Sequence, residues 1–395
     1  MPCIEAQNLS KIYGAGAVKH ALPLLKQGLS RGEILNRTGC TLAVHNVSFA
    51  VEDGEIFVVM GLSGCGKSTL LRCVNRLIDP TAGEVWIDGE NVTNLSSDEL
   101  RRLRAEKVAM VFQNFGLLPH RTVLENAAFG LEIQNIDVHT RAKKAREALE
   151  LVGLTDHANS AIQELSGGMQ QRVGLARALA ANSKILLMDE AFSALDPLIR
   201  SEMQDELLDL QARLGRTIVF ITHDLDEALK LGDRVGIMKD GRIVQSGTPE
   251  EILTHPADAY VRSFVENVDR SRVITAQAVM TPPRTILWRK AGPNLAMRQM
   301  RQLGLSLLFV VDERRQYKGI VRIDEVGELA SKGERNLEPI VRVNIPTAAP
   351  DAPVSELVGH ASQSHTPIPV VDGDGTLLGV VTRTAILSGI SGEHT

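Results

Sequence analysis

The chain has 395 residues, enough for about two to four domains, and its 44% hydrophobic content can fill their cores. A disordered or fibrous chain is therefore excluded. The 43 lysines and arginines and the 48 aspartates and glutamates leave a net charge of −5, so the composition disfavours binding to a nucleic acid backbone.

Neither a membrane span nor a secretion signal is expected. The longest apolar runs, such as residues 306–311 and 185–188, are far shorter than the roughly 18 residues that a membrane helix needs. The N-terminus lacks the basic region and the apolar region of a signal peptide. The four cysteines form no Cys-x-x-Cys pair, so we expect free thiols in the cytosol.

Strand-like and helical patterns alternate from about residue 40 to 250, which predicts an α/β domain with a mostly parallel sheet. Apolar runs at 56–60, 184–188 and 217–221 predict buried strands. A mainly helical stretch at about 115–165 predicts a helical subdomain inserted into this core.

The composition shifts after about residue 270, and an internal repeat begins. Val310-Val-Asp312 returns as Val370-Val-Asp372, and Lys318-Gly-Ile-Val321 returns as Leu378-Gly-Val-Val381. Each copy predicts a strand, a turn, a strand and a short helix, and we expect the two copies to pack as one α+β module. The expected boundaries are a first domain at 1–265, a linker at 266–276, and repeat copies at 277–332 and 338–393.

A glycine-rich segment follows the first predicted buried strand and opens a helix. Gly61-Leu-Ser-Gly-Cys-Gly66-Lys67-Ser68 fits the pattern G-x-x-x-x-G-K-[ST]. Its backbone N–H groups can surround phosphate oxygens, Lys67 can add a full charge to the β and γ phosphates, and Ser68 can offer a hydroxyl to Mg²⁺. The pattern predicts a nucleotide site formed by Gly61, Ser63, Gly64, Cys65, Gly66, Lys67, Ser68 and Thr69.

Two carboxylates end the predicted strand at 184–188. Ligands of open α/β sheets bind at the carboxyl ends of the strands, which is where Asp189 and Glu190 lie. We expect Asp189 to hold Mg²⁺ through its shell of ligands, and Glu190 to accept the proton of the water that attacks the γ phosphate.

Leu165-Ser166-Gly167-Gly168-Met169-Gln170 resembles the signature motif of ATP-binding cassette (ABC) proteins. In that family the motif contacts the ATP that is held by the other subunit. The resemblance therefore implies an ABC-type P-loop ATPase core, and a head-to-tail homodimer in which Ser166, Gly167 and Gly168 complete the partner's nucleotide site.

Other motifs of that family follow in the expected order. Gln113 is similar to the Q-loop glutamine, which contacts Mg²⁺ and links the core to the helical subdomain. Ser193-Ala-Leu-Asp196 is similar to the D-loop, which crosses to the partner subunit, and Asp196 is thereby placed near the nucleotide. His223 matches the switch histidine that contacts the γ phosphate and orients Glu190, and Tyr13 is the candidate for stacking on adenine.

The interval between Tyr13 and Gly61 is about twice that of most cassettes. The additional segment, 14–39, predicts a short helical hairpin and resembles one found in osmoprotectant importers, as do residues 188–200. The repeat copies resemble the cystathionine-β-synthase (CBS) domains that such importers carry. The resemblance implies an ATPase that energises uptake of glycine betaine/proline-type quaternary amines, with choline or histidine import, or a soluble ABC ATPase, as alternatives.

The same resemblance implies partners and a location. The expected partners are a second copy of the chain, integral membrane permease subunits and, through them, a periplasmic or extracellular substrate-binding protein, with no nucleic acid. The expected location is the cytoplasmic face of the bacterial inner membrane.

Two further features of the sequence bear on regulation. Cys65, inside the phosphate loop, is expected to have a lowered thiol pKa and an exposed sulfur, and thiol reagents are expected to inhibit through it. The nucleotide-binding pattern of CBS domains, G-h-h-[ST]-x-x-D, is incomplete at both Gly319–Glu325 and Gly379–Ala385. This favours ion or membrane-surface sensing, or dimer stabilisation, over nucleotide binding by the module.

Overall fold

The computed structural model describes residues 2–391 except 114, 194, 267, 289 and 365. The chain divides into two compact units, Met1–Glu266 and Asn267–Thr395. Within the described residues, no helix is both long enough and apolar enough to cross a membrane.

The strands of the first unit are, in chain order, β1 (Ile4–Tyr13), β2 (Thr41–Val51), β3 (Ile56–Met60), β4 (Ala82–Ile87), β5 (Glu90–Asn91), β6 (Val108–Val111), β7 (Ile185–Asp189), β8 (Thr217–Thr222), β9 (Arg234–Lys239) and β10 (Arg242–Gly247). Its helices are α1 (Leu22–Lys26), α2 (Arg31–Thr38), α3 (Lys67–Val74), α4 (Ser97–Glu106), α5 (Val123–Ile133), α6 (Val138–Leu151), α7 (Gly167–Ala180), α8 (Pro197–Leu214), α9 (Leu225–Leu231), α10 (Pro249–Thr254) and α11 (Ala259–Val265).

The described strands of this unit form two sheets that share one core. The larger sheet has the order β10-β9-β3-β8-β7-β6, and β9, β3, β8, β7 and β6 run parallel. The smaller sheet has the antiparallel order β2-β1-β4-β5. Because β3, β7 and β8 are buried on both faces, their sequences are continuous apolar runs. The α/β fold predicted from these runs is confirmed.

Helix α3 contacts strands of both sheets. Its inner residues Leu70, Leu71 and Val74 are buried in one core with Ile4 of β1 and Phe57 of β3. Burial on this scale contributes about 1.5–3 kcal/mol for each large apolar side chain. The core therefore fixes the helix at the carboxyl edge of β3, where the glycine-rich segment lies.

The helices α5, α6 and α7 pack against one another and form the helical part of the unit. Each begins with a side-chain cap, from Thr122, Asp137 and Ser166 respectively. Residues 14–39 form a π-helical turn at Ala17–Ala21 followed by α1 and α2. Leu25 of α1 and Ile34 of α2 are buried in a small core with Ile12 of β1 and Leu42 of β2.

The second unit contains β11 (Thr285–Leu287), β12 (Leu307–Val311), β13 (Tyr317–Arg322), β14 (Ile368–Val371) and β15 (Leu377–Val381), with α12 (Ala276–Val279), α13 (Pro293–Leu303), α14 (Ile323–Ser331), α15 (Val354–Gln363) and α16 (Arg383–Ser391). Each repeat copy contains the predicted strand, turn, strand and helix, namely β12, β13 and α14 in the first and β14, β15 and α16 in the second. The copies share a core in which Phe309 and Ile320 of the first lie with Leu377 and Val380 of the second.

Three details of this unit bear on the sequence predictions. Ile274 and Ala276, expected in a linker, are buried in the core of the second unit. The Oγ1 of Thr382 accepts a hydrogen bond from the backbone N–H of Ala385 at 3.1 Å, so this hydroxyl caps the start of α16. The Nη2 of Arg322 donates to the Oγ1 of Thr366 at 3.1 Å.

Candidate nucleotide-binding site

Four parallel strands of the larger sheet end at the same edge, and the predicted chemical groups follow them. The phosphate loop, residues 61–66, follows β3, and Gln113 lies shortly after β6. Asp189 ends β7 and is followed by Glu190, and His223 follows β8. The parallel register brings these groups together although they are far apart in the sequence.

The phosphate loop requires glycine at two positions. Gly61 has φ +151° and Gly66 has φ +110°, in the region that L side chains rarely adopt. A Cβ atom on Gly61 would lie 2.2 Å from the carbonyl oxygen of Met238, and one on Gly66 would lie 2.1 Å from that of Ala43. The loop can therefore pack against β2 and β9 only without side chains at these points.

Lys67 is buried at the start of α3 and is 4% exposed. Its Nζ donates to the carbonyl oxygens of Gly61 at 2.8 Å and Leu62 at 3.2 Å, and the Oε1 of Glu190 lies 4.0 Å away. The carbonyls direct the ammonium but do not neutralise it. The positive charge is thus available to an anion bound in the loop.

Ser68 and Asp189 are hydrogen-bonded to each other. The Oγ of Ser68 donates to Oδ1 of Asp189 at 2.7 Å, and Asp189 is fully buried. The Nη2 of Arg72, one turn further along α3, lies 3.2 Å from Oδ2 of Asp189. Arg72 therefore balances a buried charge, as burial of a carboxylate requires. The sequence alone did not indicate this role of Arg72.

Glu190 lies at the centre of the group and has φ +48°, an uncommon conformation for a residue with a side chain. Its Oε2 accepts from Nε2 of Gln113 at 3.1 Å and lies 3.4 Å from Nδ1 of His223. Its backbone N–H donates to the carbonyl oxygen of Ile221 at 3.0 Å, and its own carbonyl oxygen accepts a hydrogen bond from the hydroxyl of Ser193 at 2.9 Å. The strained backbone and these contacts hold the carboxylate toward the phosphate loop.

A cleft of about 590 Å³ opens over these residues. The predicted site residues in its lining are Tyr13, Ser63, Gly64, Gly66, Lys67, Ser68, Thr69, Gln113, Glu190 and His223. The cleft is also lined by residues that the sequence analysis did not single out, including Arg31, Thr41 and Ala43. Thr41 lies in the lining because it is paired with Tyr13 between β1 and β2, and the sequence alone does not show this pairing.

The signature and D-loop residues lie outside the lining of this cleft. Ser166 and Gly167 are exposed at the start of α7, where the Oγ of Ser166 accepts from the N–H of Met169 at 3.3 Å. Asp196 is exposed and caps α8. In the predicted D-loop, residue 194 is outside the described part of the chain.

The prediction for the Cys65 thiol is wrong. Cys65 is only 6% exposed, and burial raises the pKa of its thiol, against the smaller lowering effect of Lys67. The position next to a helix N-terminus suggested the opposite, because the sequence does not show that the sulfur points into the core. Both burial and the raised pKa disfavour reaction with thiol reagents.

Comparisons with known proteins agree with this geometry. A family model described as "ABC transporter" matches residues 44–193, and a model described as "CBS domain" matches residues 337–392. The glycine betaine/carnitine transport ATP-binding protein of Listeria monocytogenes is 51% identical, with 100% of this chain and 99% of that protein covered. The chain belongs to the ATP-binding proteins of ABC transporters. As an ABC cassette with a CBS module, it is an ATPase.

Two further relatives are similar to this cassette protein. The glycine betaine transport ATP-binding protein of Bacillus subtilis is 49% identical over 99% of this chain and 93% of that protein. The dimeric structure of a bacterial ABC transporter cassette has a TM-score of 0.55 and 34% identity, covering 62% of this chain and 98% of the other.

Proposed function

We propose that this ABC cassette is the ATP-hydrolysing subunit of a bacterial importer for quaternary amines of the glycine betaine and proline type. The observation that carries the proposal is the similarity over the full length to a glycine betaine/carnitine transport protein at 51% identity. The cleft supports the energising role, since Lys67, Glu190 and His223 face one space.

The residues around the cleft have separate roles in ATP hydrolysis. The phosphate loop and Lys67 bind the β and γ phosphates. Glu190, held by Gln113 and His223, accepts the proton of the attacking water. His223 is 57% exposed at the mouth of the cleft, so its imidazole can turn toward the γ phosphate when a nucleotide binds.

The donor set at the end of β7 fits Mg²⁺. A hydroxyl and a carboxylate oxygen lie 2.7 Å apart at Ser68 and Asp189, and hard oxygen donors are the ligands that this ion prefers. Because Arg72 already contacts the second oxygen of Asp189, Asp189 would act through a bound water while Ser68 and Gln113 contact the ion. Bound there, Mg²⁺ would neutralise charge on the β and γ phosphates.

Two cassettes are proposed to close head to tail on two ATP molecules. Ser166 and Gly167 are exposed at a helix N-terminus but lie outside their own chain's cleft, so they are free to meet the phosphates of a partner. Asp196, also exposed, would cross the same interface. The dimeric form of the similar bacterial cassette supports this arrangement.

Replacing Ser166 by Asp tests the dimer. Aspartate caps a helix as well as serine does, so α7 should remain intact, but its charge would face the partner's γ phosphate. We expect ATP turnover to fall by about tenfold or more, with ATP affinity of the single chain unchanged.

The matched control is Ser96→Asp, because Ser96 caps α4 in the same way. It should leave turnover at the wild-type level in a phosphate-release assay. Normal turnover in Ser166→Asp would contradict the proposed dimer.

A groove of about 240 Å³ in the first unit is proposed to receive the permease. Its lining includes the apolar residues Phe129 and Ile133 and the basic residues Arg104 and Arg177. Burial lowers the pKa of Arg177, because removing the charged guanidinium from water is costly. An amphipathic cytoplasmic helix with a carboxylate would cover the apolar floor and pair with these arginines.

Hydrogen bonds link a residue of the groove to the segment that follows Gln113. Arg177 donates to the carbonyl oxygens of Phe115 at 2.9 Å and Gly116 at 2.6 Å, close in sequence to Gln113. A permease helix seated on Arg177 would therefore be coupled to the contact between Gln113 and Glu190. We accordingly propose that the cassette acts at the cytoplasmic face of the membrane and that the permease connects it to a substrate-binding protein.

Uptake by living cells tests the proposed substrate. The native host, with redundant carriers deleted, would be given labelled glycine betaine at raised osmolality while expressing wild-type chain or the Lys67→Ala variant. We expect uptake in the first strain and none in the second. Equal uptake in both would contradict the proposed substrate, and choline, proline and histidine would then be tested in the same strains.

A further inference from the structure

The segment at 14–39 contributes a side chain to the nucleotide cleft. Arg31, the first residue of α2, lines the cleft together with Tyr13 and Thr41. Tyr13 ends β1, Thr41 begins β2, and the two residues are paired. Both ends of the segment therefore lie at the wall of the cleft.

The position of Arg31 is fixed on its own helix. Ser30 and Glu33 form a capping box, in which the N–H of Ser30 donates to Oε2 of Glu33 at 2.8 Å and the N–H of Glu33 donates to Oγ of Ser30 at 3.3 Å. Ile34 anchors α2 because it is fully buried in the core that includes Ile12 and Leu42. The helix start thus faces the cleft in a defined orientation.

A second contact connects Arg31 to the phosphate loop. Its Nη1 lies 3.8 Å from Oδ1 of Asp240, in the turn between β9 and β10. The next residue, Gly241, donates its N–H to the carbonyl oxygen of Cys65 at 2.9 Å. Arg31 therefore lies beside a turn that is itself hydrogen-bonded to the loop that binds phosphate.

The pairing with Asp240 leaves Arg31 able to bind a ligand. The Asp240 side chain is 71% exposed and that of Arg31 is 36% exposed, and an ion pair in such a setting is weak. Tyr13, in the same wall, is 40% exposed, and the Nζ of Lys11 lies 5.2 Å from the centre of its ring. A planar guanidinium and a phenol ring are both groups that stack on a nucleobase, and the guanidinium also donates to ribose oxygens.

We propose that Arg31 binds the base and ribose of the nucleotide, so that the helical segment at 14–39 is part of the ATP site. The inference rests on the ATPase activity of the cassette and is independent of the transported substrate. The match to the ABC transporter model begins at residue 44, so this contribution comes from outside the matched residues.

Equilibrium binding to the full chain tests the proposal with three probes: ATP, ADP and inorganic tripolyphosphate. In Arg31→Gln, the affinities for ATP and ADP should fall by about fivefold to twentyfold. The affinity for tripolyphosphate, which has no base or ribose, should stay within about twofold of wild type. Arg31→Lys should bind ATP with intermediate affinity, because it keeps the charge and loses the planar group.

The matched control is Arg37→Gln, in the last turn of the same helix and exposed to solvent. It should bind all three probes as wild type does, and the thermal unfolding midpoints of the variants should agree. Unchanged ATP affinity in Arg31→Gln would overturn the proposal. An equal loss of ATP and tripolyphosphate would also overturn it, since Arg31 would then act on the phosphates.

Discussion

The Glu190→Gln variant is expected to lose ATP turnover by about 100-fold to 10,000-fold while binding ATP with nearly wild-type affinity. The amide has the same shape as the carboxylate but cannot accept the proton of the attacking water. The phosphate loop and Lys67 are unaltered, so the ground-state contacts to ATP remain. Steady-state phosphate release and equilibrium ATP binding, measured on the same preparation, separate the two effects.

The control for this variant is Glu202→Gln, an exposed carboxylate on α8. It removes the same charge at a distance from the cleft lining and should hydrolyse ATP normally. Near-normal turnover in Glu190→Gln would show that another group accepts the proton. A large loss of ATP affinity would show that Glu190 acts in binding.

Replacing Lys67 by Ala should instead remove nucleotide binding. The buried ammonium is directed by two carbonyl oxygens toward the space where phosphates bind, and charge-assisted hydrogen bonds are among the strongest that a protein makes. We expect the dissociation constant for ATP to rise by about 100-fold, which corresponds to about 2.8 kcal/mol. The loss should extend to tripolyphosphate, unlike that caused by Arg31→Gln.

Lys239→Ala is a suitable control for Lys67→Ala, because Lys239 ends β9 and lies outside the lining of the nucleotide cleft. Calorimetric titration of both variants with ATP gives the comparison. If Lys67→Ala bound ATP as tightly as Lys239→Ala, the phosphate loop would not be the principal anion site.

The parts of the site that could be predicted are those that local sequence encodes. The loop from Gly61 to Ser68 is one continuous segment, and Gly61 and Gly66 are required because any Cβ would lie 2.2 Å and 2.1 Å from neighbouring carbonyl oxygens. Asp189 and Glu190 follow an apolar run that is recognisable as a buried strand. The parallel sheet then brings both segments to one edge, as the fold class requires.

The parts that escaped prediction depend on contacts between distant segments. Arg72 is one of several basic residues on amphipathic helices, and only the fold shows that it pairs with Asp189. Arg31 lines the cleft because β1 and β2 pair at Tyr13 and Thr41, which the sequence does not state. The burial of Cys65 was likewise hidden, because a loop residue can point either toward the ligand or toward the core.

The most direct test of the proposed function is ATP-driven accumulation of labelled glycine betaine in proteoliposomes that contain the permease, its substrate-binding protein and this cassette. The measurement would compare wild type with Glu190→Gln at saturating Mg·ATP. We expect accumulation with wild type that stops when ATP is omitted, and no accumulation with Glu190→Gln. Accumulation that is equal in the two proteins, or that does not depend on ATP, would contradict it.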